Sequence, residues 1–180
     1  MKKRQALWTL IKMPCPCNLP PEIYPGSEEW GPLLWKLLHG LAERAGKIVT
    51  PIYAEEERHH WAHFFKMTSE IIPCHVCKEH FQIYLKEHPV DALKKMPTNQ
   101  IRDYVRHWFW EVHEWVNMTL SKPAFAEADL EAAYASLPLR SILNALDGPM
   151  GRAIRLSGNN IKKYGEWKGK YNAMLAIYGV

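Results

Sequence analysis

The chain has 180 residues, of which 47% are hydrophobic and 23% are charged, and this composition excludes a disordered or low-complexity protein. Lys and Arg outnumber Asp and Glu by 23 − 19 = 4, and no basic run is longer than Lys2-Lys3-Arg4, so we expect no nucleic acid partner. No apolar run is long enough to cross a bilayer, so we expect no membrane association either. The 8 Trp residues indicate an aromatic core or a site for a planar ligand.

Residues 1–26 are predicted to form a flexible N-terminal arm. Lys12 interrupts the apolar stretch near the N-terminus before any cleavage site, so the sequence predicts no secretory signal peptide. Residues 13–26 contain five prolines, too many for a helix or a central strand. The arm carries two cysteines, Cys15 and Cys17, which flank one of these prolines.

Apolar residues at helical spacing predict four helices between residues 27 and 125. Their expected bounds are about 27–46, 51–73, 74–88 and 98–122, with Pro32 as an alternative start of the first helix. The linkers are short and no alternating strand pattern occurs, so we predict an all-α fold built on an antiparallel four-helix bundle.

Residues 126–180 are predicted to form a C-terminal helical extension. A weaker helical pattern from Ala128 to Leu146 gives a fifth short helix, which we expect to break at Gly148-Pro149-Met150-Gly151. Residues 157–180 mix Lys, Gly, Tyr and one Trp, and the sequence assigns them no function. Their lysines are expected to form a solvated surface.

Cys74 and Cys77 follow Pro73 and open the third predicted helix. A cysteine at a helix N-terminus has its thiolate stabilised by free amide groups and the helix dipole, so this spacing favours a redox-active pair. The alternative is a structural zinc site made by both cysteine pairs, in which His75 or His80 could replace one ligand. The His59, His60 and His63 group is interpreted as a solvated helix face rather than a metal cluster.

Three motifs on three predicted helices resemble the FAD-linked sulfhydryl oxidases of the Erv/ALR type, over residues 27–125. The first helix carries Gly31, Trp35 and Leu38-His39, and the third opens with Pro73-Cys74-x-x-Cys77. The fourth carries His113-x-x-Val116-Asn117-x-x-Leu120-x-Lys122-Pro123, followed by Phe125. Three positions depart from the family pattern: Glu114 stands in place of Asn, Ile72 in place of Tyr and Pro32 in place of a common Arg.

The resemblance implies that the bundle holds FAD at its mouth. Trp35 and His39 would contact the cofactor from the first helix, and His113, Asn117 and Lys122 would hold its adenosine and phosphate portion from the fourth. The remaining cofactor-binding residues that the resemblance implies are Gly31, Trp108 and Tyr134. Trp108 could equally pack in the core.

The resemblance further implies a thiol oxidase in which Cys74 and Cys77 exchange electrons with FAD, so that a dithiol and O2 give a disulfide and H2O2. Cys15 and Cys17 would shuttle oxidising equivalents to a protein dithiol substrate. We expect a homodimer from a virus or phage, acting in the host cytoplasm or the virion, with the mitochondrial intermembrane space as the less favoured compartment. The rival hypothesis is a zinc-stabilised helical interaction module with no enzymatic activity.

Overall fold

The computed structural model describes residues 23–180, so the predicted shuttle pair Cys15 and Cys17 lies outside the described residues. The α-helices in this part of the chain are α1 Ser27–Ala42, α2 Ala54–Ile71, α3 His75–Glu87, α4 Thr98–Thr119, α5 Leu130–Tyr134, α6 Leu139–Leu156 and α7 Ile161–Ile177. Short 3-10 turns occupy Pro51–Tyr53, Val90–Lys95 and Glu127–Asp129. Residues 23–180 contain no strand, and the all-α prediction is confirmed.

The four predicted bundle helices are present as α1 to α4. Helix α1 packs against α4, and α2 packs against both α3 and α4. Their shared core is aromatic: the Phe65 and Phe109 rings stack with centroids 4.6 Å apart, and Trp61 and Trp108 contact the same pair. Large rings of this kind contribute much of the apolar burial in a small domain. Part of the high Trp content is therefore explained by the core.

Helix α1 begins at Ser27, and Pro32 lies inside the helix instead of at its start. Two glutamates, Glu28 and Glu29, occupy the first turn, where they interact favourably with the helix dipole. Pro32 removes one helical hydrogen bond, but the flanking residues Trp30 and Leu34 are buried. The burial of this apolar face offsets the missing bond, so the helix continues through the proline.

The predicted break at Gly148-Pro149-Met150-Gly151 is wrong, because α6 continues through it from Leu139 to Leu156. The glycine and proline residues carry a local preference against helix. Their neighbours nevertheless form one apolar stripe that packs against α1. The buried members of this stripe are Leu139, Leu143, Leu146, Met150, Ala153 and Ile154.

Residues 161–177, to which the sequence assigned no function, form α7, which packs along α2. The side chain of Trp167 is fully buried and donates a hydrogen bond from its indole N–H to Thr68 Oγ1 at 2.9 Å. Near the chain end, the Tyr178 hydroxyl accepts from Trp61 at 2.8 Å and donates to the buried Glu57 carboxylate at 2.6 Å. Helix α7 therefore completes the core around α2. None of the helices in residues 23–180 is long and apolar enough to cross a membrane.

Candidate functional site

A cavity of about 820 Å³ opens between α1, α3 and α4 and is bordered by Tyr134 at the end of α5. Its volume falls in the range of about 300–1,000 Å³ that is usual for cofactor and ligand sites. Six of the predicted cofactor-binding residues line it: Gly31, Trp35, His113, Asn117, Lys122 and Tyr134. Cys77 also lines it, so the redox pair borders the same space as these residues.

The Cys74–Cys77 pair forms a disulfide at the start of α3, with the two Cα atoms 5.2 Å apart. Cys74 is the N-cap residue of this helix, and its sulfur accepts a hydrogen bond from the Cys77 backbone N–H at 3.2 Å. The same donor and the helix dipole would stabilise a thiolate on Cys74 after reduction. Both cysteines are half-buried, and they flank the exposed residues His75 and Val76. Cys77 lines the cavity and Cys74 does not, so the two sulfurs differ in their position relative to the cavity wall.

Four rings from three helices stack against one another beside the cavity. Trp35 of α1 lies flat on His113 of α4, with the ring centroids 4.0 Å apart and the planes 7° from parallel. His39 stacks on Tyr134 of α5 with centroids 4.6 Å apart. His39 Nε2 and His113 Nδ1 are 2.9 Å apart and share one hydrogen bond. This stack fixes the orientation of the aromatic wall.

Both imidazoles in this stack are held in their neutral form. Burial, together with the neighbouring His113, lowers the pKa of His39 to about 3. Burial likewise lowers the pKa of His113 to about 4, and the Lys122 ammonium adds to that lowering while Glu114 opposes it. One neutral ring can therefore donate to the other at neutral pH, and His113, which lines the cavity, can also present a polar edge to a bound group.

The end of α4 turns back so that Lys122 borders the cavity. Ser121 adopts a left-handed conformation with φ of 52°, which is uncommon for a residue other than glycine. The Lys122 backbone N–H then donates to the Asn117 carbonyl at 2.9 Å, closing the helix end. The Asn117 side-chain amide donates to Glu114 Oε1 at 2.8 Å, which leaves its carbonyl oxygen available. This turn supplies an exposed cation at the cavity edge.

Two predicted cofactor-binding residues do not line the cavity. His39 is 2% exposed and is hydrogen-bonded to His113, which separates it from the cavity. His39 would therefore influence a bound group only by orienting the His113 ring. Trp108 is buried against Phe65 and donates from its indole N–H to the His88 carbonyl at 3.0 Å. Trp108 therefore packs in the core, which was the alternative to cofactor contact in the sequence analysis.

Several cavity residues were not among the predicted site residues. Lys36 provides a second cation at the wall, and His80 lies half-buried there with its ring against Trp115, the centroids 5.2 Å apart. Trp30 is buried and also lines the cavity from α1. Lys36 directly follows Trp35, and His80 follows Cys77 by three residues. Closeness to the family motifs was therefore the one sequence feature that pointed to these two residues as neighbours of the cavity.

A comparison with protein families matches residues 32–135 of the chain to the Erv1 / Alr family. Among curated proteins, the chain is 31% identical over 111 residues to the FAD-linked sulfhydryl oxidase ERV1 of rice (Oryza sativa subsp. japonica), covering 62% of this chain and 52% of the rice protein. It is 30% identical over 101 residues to the mitochondrial FAD-linked sulfhydryl oxidase ERV1 of Saccharomyces cerevisiae, covering 56% of this chain and 48% of the yeast protein.

The chain thus spans about half the length of the curated relatives it matches. No solved structure matches the chain significantly. The matched residues 32–135 include most of the cavity wall, both sulfurs of the disulfide and the stacked rings. The family match extends over more than half of the sequence, and the chain belongs to the Erv1/Alr family.

Proposed function

We propose that this protein is an FAD-dependent thiol oxidase that forms disulfides in protein dithiols and passes the electrons to O2, giving H2O2. The observation that carries the proposal is that Cys77 of the redox disulfide lines the same cavity as Trp35 and His113. Both curated relatives are named FAD-linked sulfhydryl oxidases.

The chemistry of the cavity wall fits FAD. Trp35 and Tyr134 offer aromatic surfaces for a planar ring system, and Lys122 and Lys36 offer cations for a diphosphate. A Cβ placed on Gly31 would meet no atom within 4 Å, so the missing side chain leaves open space in the wall. We assign the adenosine and phosphate portion to His113, Asn117 and Lys122, as the family motif implies.

The reaction divides between the two sulfurs. A substrate thiolate attacks Cys74, the sulfur beside exposed residues, to give a mixed disulfide and a free Cys77 thiolate. The second substrate thiol then releases the substrate disulfide, leaving Cys74 and Cys77 reduced. FAD bound in the cavity would accept the two electrons and two protons of this dithiol, restore the disulfide and deliver them to O2.

We extend the proposal to the Cys15 and Cys17 pair as a shuttle between Cys74 and a protein substrate. Ser27 and Cys77 border one cavity, so the arm begins on the side of the molecule where the redox pair lies. Cys17 and Ser27 are separated by ten Cα-to-Cα steps, which can span up to about 33 Å when extended. Replacing both arm cysteines with serine should slow oxidation of reduced ribonuclease far more than oxidation of dithiothreitol. Equal slowing of both substrates would contradict the shuttle.

The direct test of the proposal is oxygen uptake with dithiothreitol by the parent chain and by Cys77→Ser. The variant should retain bound FAD and lose at least about 100-fold in turnover, because the sulfur that faces the cavity is removed. Free FAD at the same concentration gives the background rate. Parent-like oxygen uptake by the FAD-loaded variant would overturn the assignment. A homodimer, a viral source and a cytoplasmic location stay predictions.

A further inference from the structure

The turn between α6 and α7 lies beside the redox disulfide, although it falls outside the matched residues 32–135. Helix α6 ends with Gly158 in the left-handed conformation at φ of 72°. The Gly158 N–H donates to the Arg155 carbonyl at 3.2 Å and the Asn159 N–H donates to the Ile154 carbonyl at 3.1 Å. This pair of bonds is a Schellman closure, which fixes the backbone of Asn159.

The side chain of Asn159 bridges two positions of the redox segment. Its amide Nδ2 donates to the Pro73 carbonyl at 3.2 Å, and that carbonyl belongs to the peptide that links Pro73 to Cys74. Its Oδ1 accepts from the Lys78 ammonium at 3.3 Å. Lys78 also donates to the Glu70 carbonyl at 3.1 Å. Asn159 is thus bonded to the residue before Cys74 and to the residue after Cys77.

A further ion pair keeps this turn against the end of α2. Lys163 Nζ lies 2.9 Å from Glu70 Oε2, and Glu70 is itself the carbonyl partner of Lys78. Asn159 and Lys163, at the end of α6 and the start of α7, therefore contact three groups near the disulfide: the carbonyl of Pro73, the ammonium of Lys78 and the carboxylate of Glu70. Within residues 23–180, Asn159 is the one residue whose side chain is hydrogen-bonded to both Pro73 and Lys78, the residues on either side of the Cys-x-x-Cys motif.

We propose that Asn159 is a positioning residue for the Cys74–Cys77 pair, and that the α6–α7 turn thereby sets the redox equilibrium of the site. The inference rests on the proposed function in taking this disulfide as the redox pair. By fixing the Pro73–Cys74 peptide, Asn159 keeps the Cys74 sulfur at the N-cap, where it accepts from the Cys77 N–H. By accepting from Lys78, the residue one helical turn after Cys74, it holds that ammonium beside the end of α2 at the Glu70 carbonyl.

Both contacts favour the reduced state of the cysteine pair. A hydrogen-bond donor and a nearby cation stabilise a thiolate more strongly than they stabilise the sulfur of a disulfide. In a glutathione buffer the reaction is the Cys74–Cys77 disulfide plus two glutathione thiols, giving two cysteine thiols and one oxidised glutathione. Loss of the Asn159 contacts should shift its equilibrium constant toward the protein disulfide by about threefold to tenfold.

The test measures this constant anaerobically at fixed pH for the full chain, with protein thiols counted by alkylation and mass spectrometry. Flavin oxidation state is read from absorption in the same samples. Asn159→Ala removes both contacts together with the local bond from Asn159 Nδ2 to Ser157 Oγ at 2.7 Å. Asn159→Asp keeps an acceptor for Lys78 while removing the donors to Pro73 and Ser157. Both variants should make the disulfide harder to reduce. Asn160→Ala is the matched control, because Asn160 caps α7 through the Lys162 N–H at 2.9 Å without touching the redox segment.

An equilibrium constant within twofold of the parent in both Asn159 variants would overturn the inference, and a lowered melting temperature alone would show a purely structural role. If Asn159→Ala does not fold, Asn159→Asp and Lys78→Met carry the same comparison. The measurement does not need turnover, so a failed oxidase assay with a shifted constant would count against the proposed function and in favour of this inference.

Discussion

The buried His39–His113 pair makes the stability of this protein depend on pH. The pKa of His39 is lowered to about 3 and that of His113 to about 4, mainly by burial, from an ordinary value of 6.5. Between pH 6.5 and pH 4 the unfolded chain binds protons that the folded chain excludes, so stability is complete above this window and falls as the pH drops through it. Mild acid therefore lowers the free energy of unfolding, although both rings remain neutral in the folded protein.

We expect the free energy of unfolding of the parent to fall by about 1 kcal/mol per pH unit for each histidine between pH 6 and pH 4. His39→Gln removes one of the two groups and keeps an amide that can bond to His113. Urea unfolding at pH 7 and pH 5 should show a smaller pH-dependent loss in this variant than in the parent. Identical losses in the two proteins would show that His39 does not titrate as the structure implies.

Gly31 tests whether the cavity is the cofactor site. A leucine there would extend into space where a Cβ meets no atom within 4 Å, and it would occupy part of the cavity. Gly31→Leu should stay folded and bind FAD at least about tenfold more weakly, since overfilling a formed site costs about 1–3 kcal/mol. FAD content after purification and a thermal melt give the two readouts.

The matched control for this variant is Gly165→Leu, because Gly165 is an exposed glycine of α7 whose Cβ would also meet no atom within 4 Å. This control should keep parent levels of FAD. Equal FAD content in the two leucine variants would place the cofactor elsewhere.

The family motifs were sufficient to identify four cavity residues, Trp35, His113, Asn117 and Lys122. The first three occupy fixed positions on strongly periodic helices, and Lys122 follows the end of α4. The sequence could not identify Lys36 or His80. Their residue types are common on solvated helix faces, and only the packing of α1 against α4 and the position of α3 decide that they border the cavity.

Helices α6 and α7 bury apolar faces of α1 and α2 that the four bundle helices do not cover by themselves. Helix α6 covers α1 and α7 covers α2, with Trp167 and Tyr171 fully buried. The Tyr171 hydroxyl donates to the Leu37 carbonyl at 3.2 Å, which connects α7 to α1 as well. Residues 136–180 lie beyond the matched family segment yet pack against its central helices.

Trp167→Ala should therefore lower the free energy of unfolding by about 3–5 kcal/mol, because it leaves a large cavity and removes the indole N–H that donates to Thr68 Oγ1. Trp167→Phe keeps most of the ring volume and should cost markedly less. Lys162→Ala, at a side chain that is 82% exposed, is the control and should change stability little. Denaturant unfolding gives all three values, and a loss below about 1 kcal/mol for Trp167→Ala would contradict a structural role for α7.

Helices α1 to α4 were predictable because each combines an apolar period with a proline or glycine near its ends. The error at Gly148–Gly151 arose because a Gly-Pro pair is a reliable local break signal, whereas burial against α1 acts over a long sequence separation. Helix α7 was missed as a core element because glycines and lysines interrupt its sequence, although its Tyr164, Trp167 and Tyr171 recur at helical spacing.

The whole molecule combines three features: an aromatic core, a cavity bordered by α1, α3 and α4, and a disulfide whose Cys77 lines that cavity. Five of the eight tryptophans belong to the first two features: Trp61, Trp108 and Trp167 pack in the core, and Trp30 and Trp35 line the cavity. The central claim is that this cavity holds FAD next to Cys77.

The most direct test of that claim is the absorption spectrum of the purified full-length chain, followed anaerobically as dithiothreitol is added. If FAD binds next to Cys77, the purified protein is yellow and contains about one FAD per chain. Its flavin absorption band then bleaches in the parent and persists in Cys77→Ser. A colourless protein that contains stoichiometric zinc, or a flavin band that bleaches equally in Cys77→Ser, would contradict it.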